Sequence, residues 1–225
     1  MNIFLTGVNR GLGFEIAKSA IDKGHTVIGA VRQFADKKLV RALDENRIIL
    51  YEGDITNELF IKQVADDLQE KQICIDILIN NAAVLVGREQ TIEQLSMEDF
   101  KHTLDVNLVA PIQITKHFLK LMPENSGVII NISSEAGSIT NAYGGDFSYA
   151  ISKAALNMFT KQMKALTNEH NYTVYAIHPG WMKTDMGGGL APLQPSESAR
   201  AILSIALGDK KSLTIRFLLI MKVLR

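Results

Sequence analysis

A doubly wound α/β domain, with one parallel sheet covered by helices on both faces, is the fold this sequence predicts. Six short apolar runs alternate with stretches whose apolar residues recur at helical spacing. The first run ends in a glycine-rich turn that leads directly into a helix, the order expected at the start of such a sheet. At 225 residues, 47% hydrophobic and 21% charged, the chain is sized for one soluble domain spanning 1–225. The segment 210–225 fits the pattern least well.

Charge and cysteine content narrow the function classes. Lys plus Arg equals Asp plus Glu at 24 each, so nothing draws the whole molecule to nucleic acid or to an anionic membrane. The single cysteine, Cys74, rules out an intrachain disulfide framework and a Cys-rich metal site, and is expected to be a buried apolar thiol. No HExxH, paired histidine or carboxylate cluster suggests a catalytic metal. No apolar run approaches the ~18 to 20 residues of a membrane span. Met1 to Gly7 lacks the basic start of a signal peptide, so a cytoplasmic protein is expected.

The elements follow in order. Asn2 to Thr6 reads as a strand, and Gly11 to Lys23 as a helix carrying Leu12, Ile16, Ala17, Ala20 and Ile21 at helical spacing. Between them lies Thr6-Gly7-Val8-Asn9-Arg10-Gly11-Leu12-Gly13. Glycine permits close backbone approach, and the helix N-terminus behind it favours a phosphate or pyrophosphate. His25 to Val31 is the second strand, and Arg32 follows it where a carboxylate would hold a ribose 2′-hydroxyl. Arg10 and Arg32 would together clamp an added 2′-phosphate, or each is a solvated surface arginine.

Phe34 to Asp44 suits a helix, Arg47 to Tyr51 a strand, and Gly53-Asp54-Ile55-Thr56 the loop beyond it. Asp54 is placed either to bond the amino group of an adenine or to cap the helix expected over Asn57 to Glu70. Ile75 to Ile79 is the fourth strand, leading to Asn80-Asn81-Ala82-Ala83, small residues against which a cofactor can lie. A long helix opens at Ser96, an N-cap, and continues to Phe118. Within it Asn107 is polar among apolar neighbours. Pro111 removes the N–H that would bond Asn107's carbonyl, leaving that oxygen for water or a simple proline kink.

Gly127 to Ser133 is the fifth strand, with Ser134-Glu135-Ala136-Gly137 at its carboxyl end, where ligands sit in parallel sheets. After the loop Gly144-Gly145-Asp146 comes a helix carrying Tyr149 and Lys153 at i and i+4, on one face. A phenol titrates near pH ~10, and an ammonium beside it favours the phenolate, which makes Tyr149 a candidate proton donor and acceptor. Thr173 to Ile177 is the sixth strand. Pro179 and Gly180 turn the chain, leaving Thr184 to face a bound ring or phosphate, while His178 reads as structural. Gly187 to Gly189 suggest mobility, and a last helix begins near Ser196.

In spacing and order these motifs resemble the short-chain dehydrogenase/reductase family as far as about residue 208. Thr6 to Gly13 is similar to that family's TGxxxGxG turn, Asn80-Asn81-Ala82-Ala83 to its NNAG motif, and Asp54 to its adenine-contacting aspartate. Asn107, Ser134, Tyr149 and Lys153 match its catalytic tetrad. Pro179, Gly180 and Thr184 match the segment that packs on nicotinamide. NISSEAGSI, SYAISKAALNM and HPGWMKTDMGG resemble the C-factor-like and small carbonyl reductase subgroup.

The resemblance implies a Rossmann-type fold and a homodimer or homotetramer. It implies an oxidoreductase that moves hydride between NADP(H), with NAD the less favoured cofactor, and a small carbonyl or alcohol. The cofactor would lie against Thr6, Gly7, Asn9, Arg10, Gly11, Leu12 and Gly13, then Arg32, Asp54 and Ile55, then Asn81, Ala82 and Ala83. Tyr149, Lys153, Pro179, Gly180 and Thr184 would complete its site. The other function this subgroup allows is a non-catalytic dinucleotide-binding protein for signalling or redox sensing. Three departures stand out: Ala83 for glycine, a slightly long loop between Ser134 and Tyr149, and the tail FLLIMKVLR.

Overall fold

The computed structural model describes residues 1–32, 43–166 and 172–209 of the chain. The helix expected over Phe34 to Asp44 falls almost wholly outside the described residues. So do the expected extension of the Tyr149 helix to His170 and the tail beyond 209. The elements are β1 (Asn2–Thr6), α1 (Gly11–Asp22), β2 (Thr26–Val31), β3 (Ile48–Glu52), α2 (Glu58–Glu70) and β4 (Ile77–Asn80). There follow α3 (Met97–Leu104), α4 (Ala110–Phe118), β5 (Val128–Ile132), α5 (Phe147–Leu166), β6 (Thr173–Ile177) and α6 (Pro195–Ala206). All six strands run parallel, in the order β3-β2-β1-β4-β5-β6.

Alternation along the strands makes two cores. Ile3 and Leu5 of β1, Ile77 and Ile79 of β4, and Ile130 and Ile132 of β5 face α1 and α6, packing with Ile16, Ala20, Ile202 and Leu203. Their neighbours Phe4, Leu78 and Ile129 face the other way, against Ile61 and Leu68 of α2, Ile114 and Phe118 of α4, and Met163 of α5. Strands buried on both faces need apolar residues at successive positions, which is why these runs read as continuously hydrophobic. The Phe4 and Phe118 rings meet with centroids 4.2 Å apart, joining the sheet centre to α4.

Local signals set the helix ends. Asn57 caps α2, accepting from Leu59 N–H at 3.0 Å and Phe60 N–H at 3.4 Å, and Ser96 caps α3 through Asp99 N–H. The capping role considered for Asp54 therefore belongs to Asn57. The proline kink expected near Pro111 takes a different form: α3 and α4 are joined by a π turn over Asp105–Val109, with Ala110 N–H bonded to Asp105 O. Cys74 is exposed rather than buried. Ile73 and Ile75 beside it pack into the core, and alternation turns the thiol outward.

Because Phe118 is fully buried and joins α4 to β1, Phe118→Ala is expected to cost roughly 3 to 5 kcal/mol of stability. A urea titration should show the midpoint falling with an unchanged slope.

Candidate active site

The chain runs outward through β1, β2 and β3, then returns to place β4 on the other side of β1. At such a reversal the loops leaving adjacent strands diverge and open a crevice at the strands' carboxyl ends. Its floor is stitched by hydrogen bonds. Thr6 Oγ1 accepts from the N–H groups of Asn81 and Ala82, both at 3.0 Å, and Asn81 Nδ2 donates to Thr6 O at 2.9 Å. Thr6 and Asn81 thereby lock the glycine turn to the end of β4.

The glycine turn is packed against itself. A Cβ on Gly13 would stand 2.0 Å from the Gly7 carbonyl oxygen, so only glycine lets α1 start this close to β1. No side chain caps α1 at Arg10, its first turn holds no acidic residue, and its first bond runs from Phe14 N–H to Arg10 O. The N–H groups at Gly11, Leu12 and Gly13 are thus donors at the positive end of a helix, a set suited to a pyrophosphate. Thr184 lies over this turn, its methyl 3.5 Å from where a Gly11 Cβ would be.

The other expected cofactor contacts divide into two groups. Arg10 Nη1 lies 3.1 Å from Asp185 Oδ2, an exposed ion pair tying the turn to the segment after β6. Arg32 is exposed directly beyond β2, and Asp54 is exposed with its carboxylate folded onto Thr56, accepting from its N–H at 2.9 Å and its hydroxyl at 2.8 Å. Ile55 behind it is buried. After β6, Pro179 O accepts from Ser198 Oγ at 2.7 Å, fixing the turn on α6. Thr184 Oγ1 accepts from Gly187 N–H and Gly188 N–H bonds Thr184 O, so these glycines close a bonded turn.

Of the tetrad, Ser134, Tyr149 and Lys153 meet. Ser134 caps the short helical turn after β5, and its side chain lies near enough to Tyr149 to favour the phenolate. Lys153 Nζ sits 5.6 Å from the Tyr149 ring centroid and donates to Ile132 O at 2.7 Å. Gly137, which ends the run Ser134-Glu135-Ala136-Gly137, makes this possible: a Cβ there would be 2.7 Å from the Lys153 carbonyl carbon. The neighbouring serines have other tasks. Ser133 is buried and donates to Asn157 Oδ1, and Ser138 accepts from Asn141 N–H.

Asn107 is fully buried, and its amide is wholly committed. Oδ1 accepts from Val84 N–H at 2.8 Å, while Nδ2 donates to Val84 O and to Ser152 Oγ. Ser152 Oγ in turn donates to Tyr149 O. The residue joins the loop after β4 to the turn of α5 that bears Tyr149.

Electrostatics depart from the expectation that Lys153 draws the Tyr149 pKa down. Burial pushes the Tyr149 phenol up; the Ser134 side chain opposes it, Asp146 adds to it, and Arg88 opposes it. Burial takes the Lys153 ammonium down to about 7. An amine so fully desolvated has lost much of the advantage of carrying charge. His178 is also lowered by burial, with a buried Nδ1 that finds no partner among the described residues.

Four residues that were given no role of their own form a buried seam beneath the site. Asn80 Nδ2 donates to Asn131 Oδ1, Asn131 Nδ2 to Thr160 Oγ1, and Asn157 Nδ2 to Gly137 O, at 2.8, 2.8 and 3.2 Å. This buried seam fastens α5 to β5. The signals were polar residues within apolar runs, Asn80 and Asn131 on strands β4 and β5 and Asn157 and Thr160 on α5. Arg88, whose charge reaches Tyr149, was also missed.

The chain is 30% identical over 222 residues to the NADPH-dependent pterin aldehyde reductase of Arabidopsis thaliana, covering 92% of this chain and 89% of that one. Among solved structures it is similar to the carbonyl reductase Sniffer of D. melanogaster, with TM-score 0.84 and 30% identity over 90% of each chain. The NADPH-bound carbonyl reductase from chicken fatty liver matches with TM-score 0.82 and 29% identity, over 91% of this chain and 90% of that one. The family model described as short chain dehydrogenase matches residues 1–193. With the parallel sheet, the glycine turn and the Ser134, Tyr149 and Lys153 cluster all in place, the chain belongs to the short chain dehydrogenase family.

Proposed function

We propose that this oxidoreductase catalyses reversible hydride transfer between NADP(H) and a carbonyl or alcohol carbon, with Tyr149 as the general acid and base. The observation that carries the proposal is the convergence of the Ser134 hydroxyl on the Tyr149 phenol, which it acts to acidify, with Lys153 Nζ 5.6 Å from the ring centroid. Two hydroxyls converging on one point can both bond a carbonyl oxygen, and the phenol can release its proton as that oxygen gains charge. A phenol held protonated by burial suits reduction, where the acid must be loaded before reaction.

A nicotinamide dinucleotide, when bound, supplies or accepts the hydride. Pyrophosphate would be held by the N–H groups at Gly11, Leu12 and Gly13, and Arg10 and Arg32 would take a 2′-phosphate. Asp54 and Ile55 would meet the adenine, and Ala82, Ala83, Pro179, Gly180 and Thr184 the nicotinamide side. Asn107 holds the loop after β4 in register with Tyr149, and its backbone carbonyl, which Pro111 cannot bond, would hold water for proton resupply. Two relatives, named for NADPH dependence or NADPH binding, support the choice of cofactor. Assembly as a dimer or tetramer belongs to the same reading, and the exposed Ile112, Ile151 and Met158 on α4 and α5 are apolar surface it would cover.

Three measurements test this. Tyr149→Phe should lose turnover by about two to four powers of ten, the range of acid–base catalysis. Cofactor affinity should be kept. Unchanged activity would remove Tyr149 from the chemistry, and cofactor binding without turnover of any carbonyl by the parent protein would favour the sensor role. Fluorescence titration should give tighter binding of NADPH than NADH, with the difference much reduced in Arg32→Glu.

The third is a pH dependence. Lys153 titrates near 7 in the folded chain but near the ordinary 10.5 when unfolded. Between those values the unfolded chain holds the extra proton, so Lys153 contributes stability that rises with pH across that window. Relative to Lys153→Met, the parent should gain up to about 1.4 kcal/mol per pH unit between pH 7 and 10. Urea titrations at several pH values would show parallel curves if the lysine were not buried as a near-neutral amine.

A further inference from the structure

Arg88 occupies a place that no motif assigns. It sits in a turn closed by Gln90 N–H to Gly87 O at 3.2 Å, and Gln90 Oε1 accepts from Ser96 N–H at 3.2 Å. The base of the same loop is clamped at Val84 by Asn107. From this held turn Arg88 Nη2 reaches Met186 O at 3.0 Å, in the segment after β6. That segment is itself fixed by the Arg10 and Asp185 ion pair and by Trp181 Nε1 donating to Gly187 O at 2.7 Å.

The strand order gives this contact its meaning. β5 lies between β4 and β6. A side chain that leaves the β4 loop and bonds the β6 loop therefore spans the carboxyl end of β5, from which Ser134 emerges. The guanidinium is near enough for its charge to favour the phenolates of both Tyr143 and Tyr149. Among the described residues no carboxylate pairs with it. A single backbone carbonyl uses little of its donor fork, and the parallel N–H pair that remains is the shape that receives a carboxylate.

Charge of the other sign also lies at the mouth. A cavity of about 300 Å³ is lined by Glu135, Ala136, Asn141 and Tyr143. Asp146, whose carboxylate accepts from Tyr143 hydroxyl at 2.8 Å, stands just before α5 on the same side. An anion entering the site is drawn toward Arg88 and away from Glu135 and Asp146.

We propose that Arg88 selects carbonyl substrates that carry a carboxylate and holds that group on the β4 side of the site. This rests on the reductase reading, and the experiment separates the two. Matched pairs of an oxo acid and its methyl ester would be assayed with NADPH for the parent protein, Arg88→Gln and Arg88→Lys. Arg88 is exposed, so the variants should fold, which circular dichroism would check. The parent should prefer the acid, and Arg88→Gln should lower the acid-to-ester ratio of kcat/KM by roughly 10-fold to 100-fold, the worth of a hydrogen bond to a charged group. Arg88→Lys should fall between, keeping charge but losing the fork. Any effect of Arg88 on Tyr149 itself is common to both members of a pair and cancels in the ratio. The same ratio in all three proteins would overturn the proposal, whatever the absolute rates.

Calorimetric titration of the corresponding hydroxy acid and hydroxy ester into protein saturated with NADP⁺ supplies a readout without turnover. A preference for the acid that disappears in Arg88→Gln supports the selection even if no carbonyl compound is reduced, in which case the reductase reading alone fails. Equal affinity of the parent for acid and ester overturns the selection and leaves reduction of neutral carbonyls untouched.

Discussion

The site depends on one buried contact, the Lys153 ammonium held against the Ile132 carbonyl at the end of β5. Putting a lysine there is costly, since removing charge from water is penalised unless partners compensate. The penalty is partly avoided by the fall of its pKa to about 7. In return α5 acquires a fixed rotation about its axis. With Lys153 pinned, Tyr149 one turn earlier must face the loop that carries Ser134, and Gly137 removes the Cβ that would hold that loop away.

The same logic of fastening recurs around the crevice. Thr6 and Asn81 join the ends of β1 and β4, Asn107 joins the β4 loop to α5, and Asn80, Asn131 and Thr160 run beneath. Each is a polar group in a region that would otherwise be apolar, and their mutual bonds make that tolerable. Such a network gives little net stability per bond. It makes one arrangement of loops much better than its neighbours, which is what a reaction requiring close alignment needs.

Around this rigid floor the mouth is assembled from longer, exposed side chains. Arg10 meets Asp185 and Arg88 meets Met186, both reaching the segment after β6 from loops on its far side. Exposed ion pairs and single hydrogen bonds are weak, so this rim can exchange partners when a ligand arrives. The floor of the crevice and its rim are therefore parts of different stiffness.

Much of the fold was legible in order along the chain. The six strands were each found within about two residues at either end, because strands buried on both sides are continuous apolar runs between turns. Tyr149 and Lys153 were legible because helical spacing is local: four residues along a helix bring side chains onto one face whatever surrounds them. What the sequence could not decide was the effect of surroundings. Burial, a property of the whole packed domain, sends the Tyr149 pKa upward although a lysine lies beneath it. The choice of Asn57 over Asp54 as a cap, the π turn before Pro111, and the exposed Cys74 likewise follow from how neighbouring elements pack. Sequence alone determined the order of elements and which residues share a face, since both depend on short-range periodicity. Only the tertiary structure decided which loops meet over β5, because Arg88 and Met186 are nearly a hundred residues apart and nothing local encodes their approach.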